Sequence, residues 1–144
     1  FVPVVCTRSI PRTRTVGPSE KRADRWRKIV AEAAEQSGRA RIPTIGDQLD
    51  FRDACDGVQG PAVIPWEEED RQGLRQAIAD LKGSPTPSLS IFIGPEGGFT
   101  TQETDLARAR AIEPVTLGSR ILRAETAAVA AVSAVLYELG DLGG

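Results

Sequence analysis

Two glycine-bearing segments hold the residues best suited to bind a ligand. The first, residues 94–99, follows an apolar run and contains three glycines beside Pro95 and Glu96. Glycine lets backbone amides approach a ligand closely. The segment lacks the Gly-Lys-Ser/Thr of a Walker A loop and the Gly-x-Gly-x-x-Gly fingerprint of dinucleotide sites. It therefore predicts either a binding loop of another kind or a tight turn from a strand into a helix.

The second segment, residues 117–126, leads into a predicted helix. It places Gly118 and Ser119 before Arg123 and Glu125. The start of a helix offers unpaired amides and the positive end of the helix dipole, which together favour an anion. Helix capping with a local ion pair between Arg123 and Glu125 would explain the same residues. Two such segments after neighbouring strands favour a binding site more than either would alone.

Strands and helices alternate along the chain around these two segments. Apolar periodicity and turn signals predict strands at 1–5, 62–64, 89–93 and 114–117, and helices at about 18–37, 47–54, 70–81, 100–111 and 124–139. The alternation indicates an α/β fold with a mostly parallel sheet and helices on both faces. Such sheets bind ligands at the carboxyl ends of their strands, where both segments lie.

Three of the helices carry further signals. Thr100 and Glu103 have the spacing of a capping box. The last helix, 124–139, is apolar on nearly all sides, so we expect it to pack on the sheet and also on a second copy of the chain. The predicted buried stripe of the first helix consists of Ala23, Trp26, Val30, Ala33 and Ser37.

The composition excludes several classes of protein and of catalytic site. The 144 residues fit one globular domain, with 40% hydrophobic and 26% charged residues. No apolar run approaches the length of a membrane span, so no membrane association is expected. The absence of histidine excludes Ser-His-Asp and Cys-His triads and imidazole zinc sites. Cys6 and Cys55 lack metal-site spacing and suggest a reducing, cytoplasmic setting without a bound metal.

Charge is distributed unevenly along the chain. Residues 1–46 contain ten Lys and Arg against four Asp and Glu, whereas the remaining 98 residues contain eight against sixteen. A basic N-terminal third suggests that one edge of the fold meets a polyanion, although a solvated helix face would have the same composition.

Several blocks of the sequence together resemble the bacterial 16S ribosomal RNA (uracil-N3)-methyltransferase family of the SPOUT superfamily. The resemblance covers nearly the whole chain, and the blocks occur in the family's order. They are Thr7–Ser9, Arg25–Trp26, Glu32–Arg39, Ile42–Pro43, Ile93–Thr100 with Glu103, and Leu117–Ala127.

The resemblance implies a fold, a cofactor and partners for this chain. It implies a SPOUT-type domain over residues 1–144 with a C-terminal trefoil knot, acting as a homodimer on small-subunit ribosomal RNA. The implied cofactor is S-adenosylmethionine. Its expected binding residues are Gly94, Pro95, Glu96, Gly97, Leu117, Gly118, Ile121, Leu122 and Arg123.

The polar residues of the two segments are the candidates for catalysis, and the basic N-terminal third, strengthened by the resemblance at Arg8, Arg25 and Arg39, supplies the candidates for RNA binding. Methyl transfer to uracil N3 requires loss of the N3 proton. We expect Arg123 to stabilise the developing anion, Glu125 to orient Arg123, and Glu96 to be the third polar group at the site. A carboxylate with a raised pKa or water would accept the proton. The expected RNA-binding residues are Arg8, Arg12, Arg14, Arg25, Gln36 and Arg39.

Members of this family usually carry an additional N-terminal, PUA-like RNA-binding domain. The sequence opens at Phe1 and contains no methionine, so we expect a C-terminal piece of a longer reading frame without that domain. Two alternatives remain open for the function. One is a SPOUT methyltransferase with another RNA target, and the other is an RNA-binding domain of the same fold that has lost catalysis. A dehydrogenase is disfavoured because no dinucleotide fingerprint occurs.

Overall fold

All strand pairings in the described part of the chain are parallel. The computed structural model describes residues 1–9, 20–82 and 88–143. Its elements are β1 (Val4–Val5), α1 (Glu20–Gln36), β2 (Leu49–Asp50), α2 (Phe51–Asp56), β3 (Ala62–Pro65), α3 (Leu74–Ala77) with a 3-10 turn at Ala79–Leu81, β4 (Ser90–Ile91), α4 (Thr101–Arg108), β5 (Ile112–Val115) and α5 (Ala124–Leu139). The α/β class with parallel sheets is therefore confirmed.

The chain divides into two compact units. The first unit comprises residues 1–5 and 10–51, and the second comprises residues 6–9 and 52–144. In the first unit, β1 pairs with β2. In the second, β3 lies between β4 and β5, with Ala62 opposite both Ser90 and Ile112. The short segment 6–9 thus belongs to a unit whose other residues follow it by more than forty positions.

The core of the second unit lies on both faces of its sheet. On one face, Val63 and Val115 pack with apolar residues of α3, the 3-10 turn and α5, namely Leu74, Ile78, Leu81, Ala131 and Val135. Because side chains alternate along a strand, Ile64 and Ile112 point to the opposite face. Both are fully buried there, with α4 packed along β5. The sheet is therefore covered on both sides, as the sequence predicted.

The buried side of α1 differs from the predicted stripe at its C-terminal end. Ala34 is buried, whereas Ala33 and Ser37 are exposed. Ala34 follows Ala23 by eleven residues, which is about three full turns, so it stays on the side of Ala23. Ala33 lies nearly a quarter turn away from that side.

Two predicted helices begin later in the structure than in the sequence analysis. Within the predicted helix at 47–54, Leu49 and Asp50 instead form β2, because the Leu49 amide donates to the carbonyl of Pro3 at 3.0 Å. Helix α2 therefore begins only at Phe51. The predicted helix at 70–81 begins at Leu74. Here the Glu69 carboxylate accepts the amides of Arg71 and Gln72 at 2.9 and 3.2 Å. Such side-chain bonds give the backbone an alternative to a helix.

Smaller differences affect two strands and one helix end. The predicted strands at 89–93 and 114–117 are observed at Ser90–Ile91 and Ile112–Val115. Helix α4 ends at Arg108 rather than at Ala111, whose φ of +58° lies in the left-handed region. In the described ranges, no helix is both long enough and apolar enough to cross a membrane.

Candidate active site

A cleft of about 430 Å³ opens in the second unit at the carboxyl ends of its three strands. Its walls come from residues 65–70 after β3, residues 93–99 after β4, residues 116–122 after β5, and the first turn of α5. The two glycine-bearing segments therefore face one cleft, at the edge of the sheet where parallel α/β folds bind ligands. We call residues 94–99 the glycine loop and residues 117–123 the second loop.

Most of the predicted cofactor-binding residues line this cleft. Those that do are Gly94, Pro95, Glu96, Leu117, Gly118, Ile121 and Leu122. Two predicted residues, Gly97 and Arg123, are not part of the lining. The structure thus brings both loops together as the sequence implied, with one predicted residue of each loop outside the lining.

The glycine loop is hydrogen-bonded to a residue far away in the sequence. The Arg8 guanidinium donates a hydrogen bond of 2.8 Å to the Gly97 carbonyl. Within the loop, the Gly98 amide donates to the Pro95 carbonyl at 2.9 Å. The predicted capping box at the start of α4 is present, with Thr100 and Glu103 bonded reciprocally. The loop is therefore fixed at its tip and at its end.

Glu103 is a buried carboxylate with three donors. It accepts the Thr7 amide at 2.7 Å, and the amide and hydroxyl of Thr100 at 2.8 and 3.0 Å. Burial alone would raise the pKa of Glu103, but the hydrogen bonds from Thr100 and Thr7 outweigh burial and lower it from the ordinary value of 4.5. Glu103 is therefore ionised at neutral pH and ties residues 6–9 to α4.

The second loop has fewer supports. Thr116 bonds both the amide and the carbonyl of Gly118 through its hydroxyl, at 3.1 and 3.2 Å. Gly118 has a φ of +111°, and an added Cβ there would meet no atom within 4 Å. Ile121 is 81% exposed although it lines the cleft. The backbone conformation at Gly118, rather than lack of space, is what requires glycine.

The three predicted catalytic residues are all exposed. Glu96 lines the cleft, whereas Arg123 is the N-cap residue of α5 and Glu125 lies in the first turn of that helix. Arg123 makes no side-chain capping bond. Among the described residues, no ion pair joins Arg123 to Glu125. The local ion pair offered as an alternative for these residues is thus not formed.

Trp66 is a cleft residue that the sequence analysis did not single out. It is buried and lines the cleft, and its indole Nε1 has no hydrogen-bond partner in the described structure. The Arg108 guanidinium lies over the Trp66 ring, 5.4 Å from its centroid, and pairs with Glu69 at 3.1 Å. Hydrogen bonds from the Arg71 and Gln72 amides lower the pKa of Glu69. The position of Trp66 directly after an apolar strand was the available signal.

The predicted RNA-binding residues fall into three groups. Arg25, Gln36 and Arg39 belong to the first unit and are exposed. Arg8 belongs to the second unit and is bonded to the glycine loop. Arg12 and Arg14 lie outside the described residues.

Neither cysteine is suited to act as a nucleophile at neutral pH. Both are buried and free. Burial, with the nearby Glu103 carboxylate, raises the pKa of Cys6 to about 12, and burial raises the pKa of Cys55 to about 11. A thiol with such a pKa is protonated and inert at neutral pH. Within residues 1–9, 20–82 and 88–143, no group of three or more Cys, Asp or Glu side chains is arranged to hold a metal ion.

Comparison with known proteins gives consistent matches over nearly the whole chain. A family model described as RNA methyltransferase domain matches residues 1–136. Two relatives named ribosomal RNA small subunit methyltransferase E come from Synechocystis sp. and Bacillus subtilis. The first is 37% identical over 136 residues, covering 94% of this chain and 43% of the relative. The second is 38% identical over 147 residues, covering 96% and 55%.

A solved structure also superposes on the chain. It is a ribosomal RNA small subunit methyltransferase E from Neisseria gonorrhoeae bound to S-adenosyl methionine, with a TM-score of 0.77 and 34% identity. The match covers 94% of this chain and 53% of that structure. The chain therefore spans about half the length of the relatives it matches.

Proposed function

Because the chain belongs to the RNA methyltransferase domain family, we propose that it transfers a methyl group from S-adenosylmethionine to uracil N3 of 16S ribosomal RNA. The observation that carries the proposal is the cleft itself. The glycine loop and the second loop, each at the end of a parallel strand, line one cavity. Relatives of similar sequence are named small-subunit ribosomal RNA methyltransferases, which supports the RNA substrate. We assign residues 1–144 to the SPOUT-like methyltransferase domain.

The cleft suits S-adenosylmethionine in size and in chemistry. Small-molecule sites occupy roughly 300–1,000 Å³, and this cleft has about 430 Å³. The unpartnered Trp66 Nε1 offers a donor, and a buried donor without an acceptor is costly. The charged residues that line the cleft are mostly acidic: the carboxylates are Glu67, Glu69, Asp70 and Glu96, and the arginine is Arg120. This excess of negative charge favours a cationic ligand.

The glycine loop and the second loop would hold the cofactor through their backbone groups. When bound, S-adenosylmethionine supplies a methyl group activated by its positively charged sulfur. The residues that would hold it are the predicted ones that line the cleft, namely Gly94, Pro95, Glu96, Leu117, Gly118, Ile121 and Leu122. Gly97 and Arg123 do not line the cleft, so they would support the cofactor-binding residues without contributing to its wall.

Arg123 is the residue we propose to stabilise the uracil anion. Arginine is a cationic side chain with a planar fork of donors, so it suits an anion and is a poor proton acceptor. Arg123 is the last residue of the second loop and the N-cap of α5. Its side chain is exposed and has no carboxylate partner in the described residues, which leaves it available to substrate. Glu125 makes no ion pair with Arg123 in the described structure, so we propose that it orients Arg123 only once substrate is bound, with Glu96 as the remaining polar group at the cleft.

RNA phosphates would be bound by the basic surface of the first unit. Arg25, Gln36 and Arg39 are exposed there, and Arg12 and Arg14 belong to the same basic stretch of sequence. The logarithm of RNA affinity should fall linearly with the logarithm of the salt concentration. Replacing one phosphate-binding arginine with alanine should make the slope of that line shallower by about 0.7–0.9. Unchanged affinity and slope in an Arg25→Ala, Arg39→Ala double variant would mean that this surface is only solvated.

We also propose a homodimer built on α5, with a trefoil knot in the C-terminal segment as the family resemblance implies. Helix α5 leaves Val129, Val132 and Tyr137 exposed by 69%, 46% and 66%. An apolar face of this kind is unfavourable in water and is typical of an interface. Sedimentation equilibrium at micromolar concentration tests the proposal, and a monomer that does not aggregate would contradict it.

Two measurements, made one after the other, test the proposed activity. Calorimetry with S-adenosylhomocysteine should give one saturable site in the wild type. Small-subunit RNA from a strain lacking this methylation should then accept a methyl group, located at uracil N3 by nuclease digestion and mass spectrometry. Methylation of another nucleotide would favour a different RNA target, and cofactor binding without any methylation would favour a binding domain that has lost catalysis.

A further inference from the structure

The segment at residues 6–9 forms its own turn against the glycine loop. The Ser9 amide donates to the Cys6 carbonyl at 3.0 Å, and the Cys6 amide donates to the Ser9 hydroxyl at 2.9 Å. These two bonds fix the backbone between them, which carries Thr7 and Arg8. The turn lies in the second unit although about ninety residues separate it from the glycine loop in the sequence.

The contact between Arg8 and Gly97 is close as well as polar. Besides the hydrogen bond of 2.8 Å, a Cβ added at Gly97 would lie 3.1 Å from the Arg8 Cβ and 3.4 Å from its Cδ. At such a separation Arg8 would have to shift by a few tenths of an ångström to admit a side chain at position 97. The Arg8 stem therefore packs directly on the Gly97 backbone. Of the glycine loop, Gly97 is the residue that does not line the cleft.

A second connection runs through Glu103. Its carboxylate binds the Thr7 amide at one oxygen and both donors of Thr100 at the other. Thr100 directly follows Phe99, the last residue of the loop. The 6–9 turn thus reaches the loop at its tip through Arg8 and at its end through Thr7 and Glu103.

We propose that the turn at residues 6–9 is a clamp that holds the glycine loop in its ligand-binding conformation, with Arg8 and Glu103 as positioning residues for cofactor binding. The proposal rests on the proposed function, because it takes the cleft as the cofactor site. It gives Arg8 a role distinct from that of the exposed arginines of the first unit. Holding a loop in its bound conformation raises affinity because the cost of ordering the loop on binding is removed.

Calorimetric titration of S-adenosylhomocysteine into purified protein tests the clamp directly. Arg8→Ala should raise the Kd about 10- to 100-fold, since it removes a charge-assisted hydrogen bond together with the packing of the Arg8 stem. Arg8→Lys should recover part of the affinity because an ammonium can donate one bond to the Gly97 carbonyl. In turnover assays, Arg8→Ala should raise KM for the cofactor and leave kcat at saturating cofactor nearly unchanged. Arg52→Ala, an exposed arginine of α2 without an assigned role, is the matched control and should leave Kd unchanged.

A substitution on the other side of the contact separates the clamp from general destabilisation. Gly97→Ala places a methyl group 3.1 Å from the Arg8 Cβ. It should weaken cofactor binding in the wild-type background and do so much less in an Arg8→Gly background, where that stem is gone. This non-additivity is expected only if the two residues act through their mutual contact. If Arg8→Ala does not fold, Gly97→Ala alone still tests the clamp because it leaves Arg8 in place, and an unchanged Kd in that variant would overturn the clamp.

The outcomes distinguish failure of the clamp from failure of the function. Wild-type affinity in a folded Arg8→Ala variant, or additive effects of Gly97→Ala and Arg8→Gly, would overturn the clamp and leave the proposed function intact. Absence of cofactor binding by the wild type would overturn the proposed function, and the clamp with it.

Discussion

The glycine loop and the second loop line the same cleft but are supported differently. The glycine loop is bonded to Arg8 at its tip and, through Glu103, to Thr7 at its end. The second loop is supported by the Thr116 hydroxyl, an immediate sequence neighbour, and presents exposed side chains such as Ile121 and Arg123. One wall of the cleft is thus preorganised by distant residues, whereas the other is built from local contacts.

The difference suggests that the two loops have different roles. A preorganised wall suits the part of a ligand that must be bound in one conformation, because binding then requires little ordering. Exposed side chains next to a cleft suit contacts that are completed by a further molecule. In the proposed reaction, the backbones of both loops would hold the cofactor, and the exposed side chains of the second loop and of the start of α5 would in addition meet the RNA and the second subunit.

The largest expected effect comes from the second loop. Arg123→Ala should lower the single-turnover rate of methyl transfer about 100- to 1000-fold, the range for loss of one donor to a developing charge. Cofactor affinity should change little, because Arg123 is not in the wall of the cleft. Arg123→Lys should recover the rate only in part, since an ammonium cannot reproduce the planar fork of a guanidinium. A near-normal rate in a folded, cofactor-binding Arg123→Ala protein would shift the role to Glu125 or Glu96.

A smaller effect is expected at Gly118, where the second loop does affect the cofactor. Gly118→Val forces a β-branched residue into a φ of +111°, at a strain of about 1–3 kcal/mol. If the loop relaxes to relieve that strain, cofactor affinity should fall by roughly 5- to 150-fold. Calorimetry with S-adenosylhomocysteine measures the loss. Because the space beside Gly118 is open, Gly118→Asn should bind better than Gly118→Val, since asparagine tolerates left-handed backbone. Equal affinity in all three proteins would mean that the loop conformation is irrelevant to binding.

The two loops also differ in how far sequence alone could describe them. The capping box at Thr100 and Glu103 was predicted because its signal is local, and the structure contains it. The third bond of Glu103, to Thr7, joins residues 96 positions apart and has no local signature. The start of α3 was misplaced for a different reason: the amides of Arg71 and Gln72 bond the nearby Glu69 carboxylate, and the apolar periodicity does not show that these local bonds replace the first helical turn. The cleft was predictable as the meeting of two loops, whereas Trp66 and the clamp depend on tertiary packing.

A third effect concerns stability, not rate or affinity: the two walls of the cleft should differ in how they stabilise the fold and in their response to pH. Glu103→Gln keeps the size of the side chain but removes its charge, so it should lower the free energy of unfolding at pH 7 by about 1–3 kcal/mol. Glu125→Gln, in the exposed first turn of α5, should change that free energy very little. Urea denaturation of the three proteins, followed by tryptophan fluorescence, measures the difference.

The direction of the pH effect follows from the pKa of Glu103, which is lower in the folded protein than its ordinary value of 4.5. A lowered pKa means that the unfolded chain binds a proton more readily than the folded one. The stabilisation by ionised Glu103 is therefore complete above about pH 5 and is lost as the pH falls through the folded pKa. The gap between wild type and Glu103→Gln should accordingly narrow below pH 4.5, whereas the Glu125→Gln curve should follow the wild type throughout. A gap that stays constant down to pH 3 would mean that ionisation of Glu103 does not stabilise the folded protein and that its charge does not hold the clamp.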